Sequence, residues 1–264
     1  MGRVYQRDGA RRSRRPTAAH GNPMARRPAG DKNPGMTSLP LPTHWPLSGL
    51  RLTTPRLELR LPDLDQLAAL GSLAADGVHD PAVQPFTVPW TDAEPAQRGR
   101  NVLQYHWRCW GEWQPEQWVL NLVVLHDGIV VGTQGISARD FAVCREVSTG
   151  SWLGRAHQGR GLGTEMRAAV LHLAFAGLGA QHAVSGALDH NTASLTVSRK
   201  LGYRDDGVER HSVRGTAALV HRLRLTAEQW QERQQVPVGV EGLAACLPWF
   251  GAASHDSGGQ DRTA

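Results

Sequence analysis

The chain has only three cysteines in 264 residues, Cys109, Cys144 and Cys246, and no Cys-x-x-Cys pair. That scarcity argues against a disulfide framework and against a thiolate metal site, and it fits a reducing cytoplasm. No metal is expected. Nothing approaches the roughly 20 consecutive apolar residues that a membrane helix needs. The N-terminal arginines are not followed by the apolar stretch of a secretory signal, so no membrane partner is expected either. Charge of one sign is missing from most of the sequence. The formal net charge is +5, but residues 1–35 hold nine Lys/Arg against Asp8 and Asp31 and carry +7, leaving residues 36–264 at −2. Basicity that would invite nucleic acid sits at one end, and nucleic acid is not expected as a partner of the rest.

Residues 1–44 are Arg, Pro, Gly and Ala with almost no periodic apolar content, which predicts a disordered basic tail, with Met36 favoured as the true start. Residues 45–232 form one domain. Residues 233–250 are an extension whose apolar end, 243–250, docks on the body, and residues 251–264 are a second disordered tail.

Within the domain, alternation predicts a first strand over 52–61. Asp63 caps a helix to about residue 75 with Leu64, Leu67, Ala68 and Leu70 on one face. A loop with three prolines follows over 77–90, and Asp92 caps a longer helix through Cys109. Trp107, Trp110, Trp113 and Trp118 either pack in the core or line a ligand cleft. Runs over 118–126 and 129–137 flank Asp127-Gly128, a hairpin signal. A strand over 146–153 leads to a helix over 161–178, striped by Met166, Val170, Leu171, Ala174 and Leu178 and stopped by Gly179. A strand at 182–186, a helix at 191–201 and strands near 206–214 and 217–225 complete the order. It implies an α/β (α+β) mixed sheet of about seven strands with helices on both faces.

The chain is organised around residues 157–164, His-Gln-Gly-Arg-Gly-Leu-Gly-Thr. Alternating glycines let a ligand approach the backbone, and the helix that follows offers unpaired N–H groups and a partial positive charge. That is a cradle for a phosphate or pyrophosphate, and Arg160 adds a full charge. A Walker loop would need a lysine before Thr164. A dinucleotide fingerprint would need a third glycine where Thr164 stands and an acidic residue about 20 positions on.

Gln158-x-x-Gly161-x-Gly163 resembles the Gln/Arg-x-x-Gly-x-Gly/Ala signature of the GNAT acyltransferases. Asp189-His190-Asn191-Thr192-Ala193-Ser194, followed by Lys200-Leu201-Gly202-Tyr203, resembles the second motif of their RimJ/RimL-like branch. Two motifs at the family's separation are far more specific than one. The span from about Leu52 to Trp230 also resembles a mycobacterial member described as a succinyl-CoA transferase.

The resemblance implies a GNAT fold whose splayed strand pair, here ending near Leu153 and Gly186, admits acetyl-CoA or succinyl-CoA as acyl donor. It implies that backbone at Ser151, Trp152, Leu153 and Gly154 polarises the thioester and pairs with the pantetheine arm. The N–H groups of Gln158, Gly159, Arg160, Gly161, Leu162, Gly163 and Thr164 take the pyrophosphate, and Asn191 and Ser194 contact the coenzyme. The acceptor is a primary amine, of a small molecule or of a protein N-terminus or lysine, and homo-oligomerisation is left open. Two departures matter. The family's tyrosine acid falls on Ser198 and its frequent glutamate base on Ser148, with Glu146 on the same strand face, so Glu146, Ser148 and Ser198 are the catalytic candidates. His79, His157 and His190 are further candidates for the base, and each is also an ordinary loop histidine. A succinyl terminus would need a cation from a wall formed by His79, Trp90, His106 and Arg108. The competing class is a catalytically silent acyl-CoA-binding or regulatory module.

Overall fold

The computed structural model describes residues 39–233 and 236–252; the expected tails fall largely outside the described residues. The chain opens with a helical turn, α1 (Leu41–His44), inside the span expected to be disordered. The expected first strand is in fact two, β1 (Arg51–Thr53) and β2 (Leu57–Arg60), paired antiparallel. Pro55, which cannot donate to a ladder, lies in the turn between them.

Helix α2 (Leu64–Asp76) begins at Asp63, whose side chain accepts from Gln66 N while the Gln66 side chain returns to the Asp63 N–H. Such a reciprocal pair satisfies two helix-end donors. Its buried face is Leu67, Leu70, Gly71 and Ala74; Leu64, expected inside, is 71% exposed. The stripe turns because α2 packs on α3 (Pro95–Gly111). At their crossing a Cβ on Gly99 would lie 2.9 Å from the Gly71 carbonyl oxygen. The cap expected of Asp92 is not made. Pro95 starts α3, and Asp92 is instead ion-paired with Arg214.

Strands β3 (Gln117–His126) and β4 (Ile129–Arg139) form the expected hairpin, with Asp127 (φ 52°) and Gly128 (φ 76°) both left-handed. Those angles are what a two-residue turn between twisted strands requires. After α4 (Phe141–Cys144) come β5 (Glu146–Leu153), α5 (Leu162–His172, continued by a π turn to Gly177), β6 (His182–Leu188) and α6 (Thr192–Lys200). Strands β7 (Arg204–Val213) and β8 (Thr216–Thr226) precede α7 (Ala227–Gln231), and β9 (Gly239–Glu241) pairs with β1.

The sheet has nine strands in the order β7-β8-β6-β5-β4-β3-β2-β1-β9, two more than expected because of the split first strand and β9. Among the described residues only β5 and β6 run parallel. Neighbouring residues of β5 face opposite ways: Leu153 joins the large cluster with Leu162, Met166 and Val170 of α5, and Trp152 joins the cluster of α2 and α3. Helices therefore cover both faces. Trp113 and Trp118 stack in the core, and their indole N–H groups donate to the Trp249 and Phe250 carbonyls, which seats the segment Ala244–Phe250 on the body.

Candidate active site

The site begins where β5 and β6 part. Their pairing covers Glu146 with His182, Val147 with Ala183 and Ser148 with Val184, and then ends. On the side away from β4, residues 149–153 thus present an edge that pairs with no strand among the described residues. At its far end Gly159 (φ 74°) and Gly161 (φ 79°) are left-handed, conformations that cost little only without a Cβ. Among the described residues no N–H from Gly159 to Gly163 donates to a backbone carbonyl. Five such groups at a helix start make an anion cradle.

The glycines divide the work unevenly. A Cβ on Gly163 would meet Val197 and Leu153 at ordinary distances, 3.8 and 3.9 Å, and φ is left-handed at Gly159 and Gly161 but not at Gly163, so the protein itself leaves room for a small side chain at Gly163. We expect Gly161→Val, forced into the left-handed region at a cost of about 1–2 kcal/mol, to weaken acyl-CoA binding roughly tenfold or more. Gly163→Ala should bind normally. Calorimetry showing equal losses for the two would contradict this division.

Gln158 is a pin. Its amide donates to the carbonyls of Val78 (2.6 Å) and Leu153 (2.9 Å), joining the end of β5 to the 77–90 loop. Arg56, which sequence reasoning missed, donates to the Arg160 carbonyl at 3.1 Å, and its guanidinium would lie 3.5 Å from a Cβ on Gly161. It is held by Glu165, which is buried and also accepts from Thr54 Oγ1 (2.6 Å) and Arg56 N (3.0 Å). Burial works against the Glu165 charge, but these bonds outweigh it and hold the carboxyl below its ordinary value.

Asn191 caps α6 through Ser194 N and donates to the Pro85 carbonyl, so its side chain is committed at both ends. His190 beside it bonds the Gln84 carbonyl (2.7 Å) and Asp189 (3.0 Å). The Gln84 carbonyl first, then Asp189, raises its pKa. These residues clamp the 77–90 loop rather than reach for a base's proton.

On the other face of the sheet lies a cavity of about 860 Å³. Its floor is the outward side of the central strands, including Asn121, Thr133, Ser148 and Trp152; α3 is the roof, and Phe86, Val88 and Trp90 form a wall. Gly135 and Gly150 are paired across β4 and β5 in the middle of that floor, so bare backbone is exposed to a ligand there. Trp107 lines the cavity, whereas Trp113 and Trp118 belong to the core.

Among the described residues no carboxylate lines the cavity, and the one histidine there is His106, 2% exposed. His106 Nδ1 donates to the Val102 carbonyl at 2.9 Å, which leaves Nε2 as a buried lone pair without a hydrogen-bond partner among the described residues. Burial pushes its pKa down, so the ring is neutral and cannot be the cation expected of it. His79 is also removed from that role. Its Nε2 meets Thr91 Oγ1 at 2.7 Å and its Nδ1 the Asp80 carbonyl at 2.8 Å, and it does not line the cavity. Arg108 remains, over the Tyr105 ring at 5.5 Å.

The three catalytic candidates fare differently. Glu146 is ion-paired with Arg224 at the end of β5 where pairing to β6 is intact, and it lies outside the cavity. Ser148 lines the cavity floor. Ser198 is buried; its hydroxyl donates to the Ser194 carbonyl (3.0 Å) and accepts from Arg167 Nη1 (2.8 Å), so its proton is already engaged.

An anion cradle at the helix start, a gap between two parallel strands and a cavity on the far face of the sheet form one continuous site. Residues 56–204 match the acetyltransferase (GNAT) domain family, and the chain belongs to that family. Solved structures share the fold. Mycobacterium smegmatis RimJ in complex with a CoA-disulfide superposes with TM-score 0.58 at 20% identity, over 77% of this chain and 95% of that one. A GCN5-related N-acetyltransferase from Brucella melitensis gives 0.57 at 19%, over 70% and 82%. RimL, a ribosomal L7/L12 alpha-N-protein acetyltransferase in complex with coenzyme A, gives 0.53 at 18%, over 66% and 95%.

Proposed function

We propose that the protein transfers an acetyl group from acetyl-CoA to a primary amine, with His106 as the base. The observation that supports this best is the edge 149–153, which borders both sides of the sheet. Ser151 faces Arg167 of α5 on one side, and Gly150 and Trp152 face the cavity on the other. Bound acyl-CoA supplies an activated carbonyl and a thiol leaving group. The cradle at 159–163 and Arg56 hold its phosphates, and the free edge of β5 takes its arm and polarises the carbonyl.

An amine attacks only as the free base. A cavity without a carboxylate does not favour an ammonium ion, and the neutral His106 ring offers a lone pair for the proton. The aromatic wall suits an apolar acceptor; a protein N-terminus, the kind of acceptor for which RimL is named, fits if its first side chain is apolar.

Succinyl-CoA is a second reading, favoured by Arg108 as a cation at the cavity with no carboxylate partner among the described residues. Free-thiol release from both thioesters, measured with a panel of amines and N-terminal peptides, separates the readings. Amine-dependent release from acetyl-CoA supports the first. Preferred turnover of succinyl-CoA that disappears in Arg108→Ala supports the second. Coenzyme binding with no amine-dependent release would identify a silent acyl-CoA-binding module instead.

A further inference from the structure

Arg167 is the least conventional residue in the domain. It is 5% exposed, sits on α5 among Met166, Val170 and Leu171, and has no carboxylate partner among the described residues. A buried guanidinium stripped of water is costly unless something anionic or strongly polar replaces the solvent. Its protein partners are two neutral hydroxyls: Ser198 Oγ at 2.8 Å and Ser151 Oγ at 3.5 Å, the latter at the edge of hydrogen-bonding distance. Its Nε–H has none. Tyr203, whose hydroxyl lies 3.3 Å from Thr149 Oγ1, is close enough to act on its charge but is itself neutral, since burial raises its pKa.

Position gives this under-satisfied cation a purpose. Ser151 lies three residues past the last pairing of β5 with β6, and Ser198 lies on α6 across the opening. Arg167 spans the mouth of the gap on the side where the cradle lies, and His106 is on the opposite face. A carbonyl seated in the gap would have His106 towards one face of the sheet and the charge of Arg167 towards the other.

Resting on the acyltransferase reading, we propose that Arg167 receives the negative charge of the departing coenzyme A sulfur. As the C–N bond forms and the C–S bond breaks, the bonding pair leaves on sulfur while the amine proton passes to His106. Arg167 gives up no proton; it pairs with the thiolate, which is protonated later from solvent. The hydroxyls of Ser198 and Ser151 hold the guanidinium in place between turnovers. The charge that Arg167 carries thus replaces the acid that Ser198 cannot be.

The test compares coenzyme A with desulfo-coenzyme A, which lacks only the sulfur, by calorimetry between pH 7 and 9. The unaltered protein should prefer coenzyme A by roughly tenfold as the thiol ionises, because a thiol pKa lowered by one unit is a tenfold difference in binding. Arg167→Met should lose that preference, and Arg167→Lys should keep part of it. The bound thiol's titration, read from thiolate ultraviolet absorbance, should move up in Arg167→Met. If Arg167→Met does not fold, the comparison in the unaltered protein and in Arg167→Lys still decides. Equal binding of the two ligands by the unaltered protein overturns the proposal. So does an Arg167→Met protein that keeps the preference while losing affinity for succinyl-CoA, which would give the guanidinium to a terminal carboxylate. Failure to bind coenzyme A at all would overturn the acyltransferase reading together with this one.

Discussion

His106→Gln should lower kcat/KM for amine acylation by about 10²- to 10⁴-fold, the usual contribution of a positioned base. The fold should survive, because a glutamine amide can replace the Nδ1 donation to Val102 within a similar volume. The pH profile is the sharper readout. Burial holds the His106 pKa below the ordinary imidazole value, so the base is ready well below neutrality and the rate should rise as pH climbs through that depressed value. In the variant the rise should move up to the pKa of the free amine. The same depression makes the neutral ring contribute stability above the ordinary imidazole pKa and lose it as pH falls through the folded value. A variant with an unchanged pH profile and near-normal turnover would remove His106 from the reaction.

Glu165→Gln should destabilise the protein by about 2 kcal/mol. Breaking a buried ion pair costs about 3–5 kcal/mol, and the half-exposed Arg56 partner reduces that through solvent screening. For a domain of this size the loss is about 4–8 °C in Tm. Because the Glu165 carboxyl is held below its ordinary value, its contribution is complete above the ordinary carboxylate pKa and fades as pH falls through the folded one. The gap in Tm between the two proteins should therefore close in acid. Coenzyme binding should weaken as well, since Arg56 loses the carboxylate that orients it beside Gly161. Equal melting at neutral pH would show that the turn at 54–56 is held to α5 by other contacts.

Much of this is legible in the amino-acid sequence alone. Asp127-Gly128 sets the hairpin, Asn191 the start of α6, and Gly159 and Gly161 the left-handed turn that leads into α5. The failures have physical causes, and some had signals. Pro55 sits in the middle of the expected first strand and was a reason to divide it. Asp92 has the residue type of a cap, but its carboxylate is claimed by Arg214, 122 positions away, which no local pattern reveals. The two residues with the most chemistry to offer lie on apolar stripes. Arg167 shares the i, i+3, i+4, i+7 row of Val170, Leu171 and Ala174, and His106 falls between the buried Val102 and Cys109 of α3. A polar residue in such a row is read from sequence as an interruption of the core; burial shows that it belongs inside. Glu146 failed the opposite way. It has the right face and the wrong end of the strand.

The pairing of β9 with β1 has a consequence for how the protein is made. The sheet's first strand is flanked by β2 on one side and, on the other, by residues synthesised almost 190 positions later. The Trp113 and Trp118 indoles likewise wait for carbonyls at 249 and 250. A nascent chain can build the hairpin of β3 and β4 and much of the α5 core while still attached to the ribosome. It cannot close the edge of its sheet, or cover its stacked tryptophans, until residues 239–250 have left the ribosome.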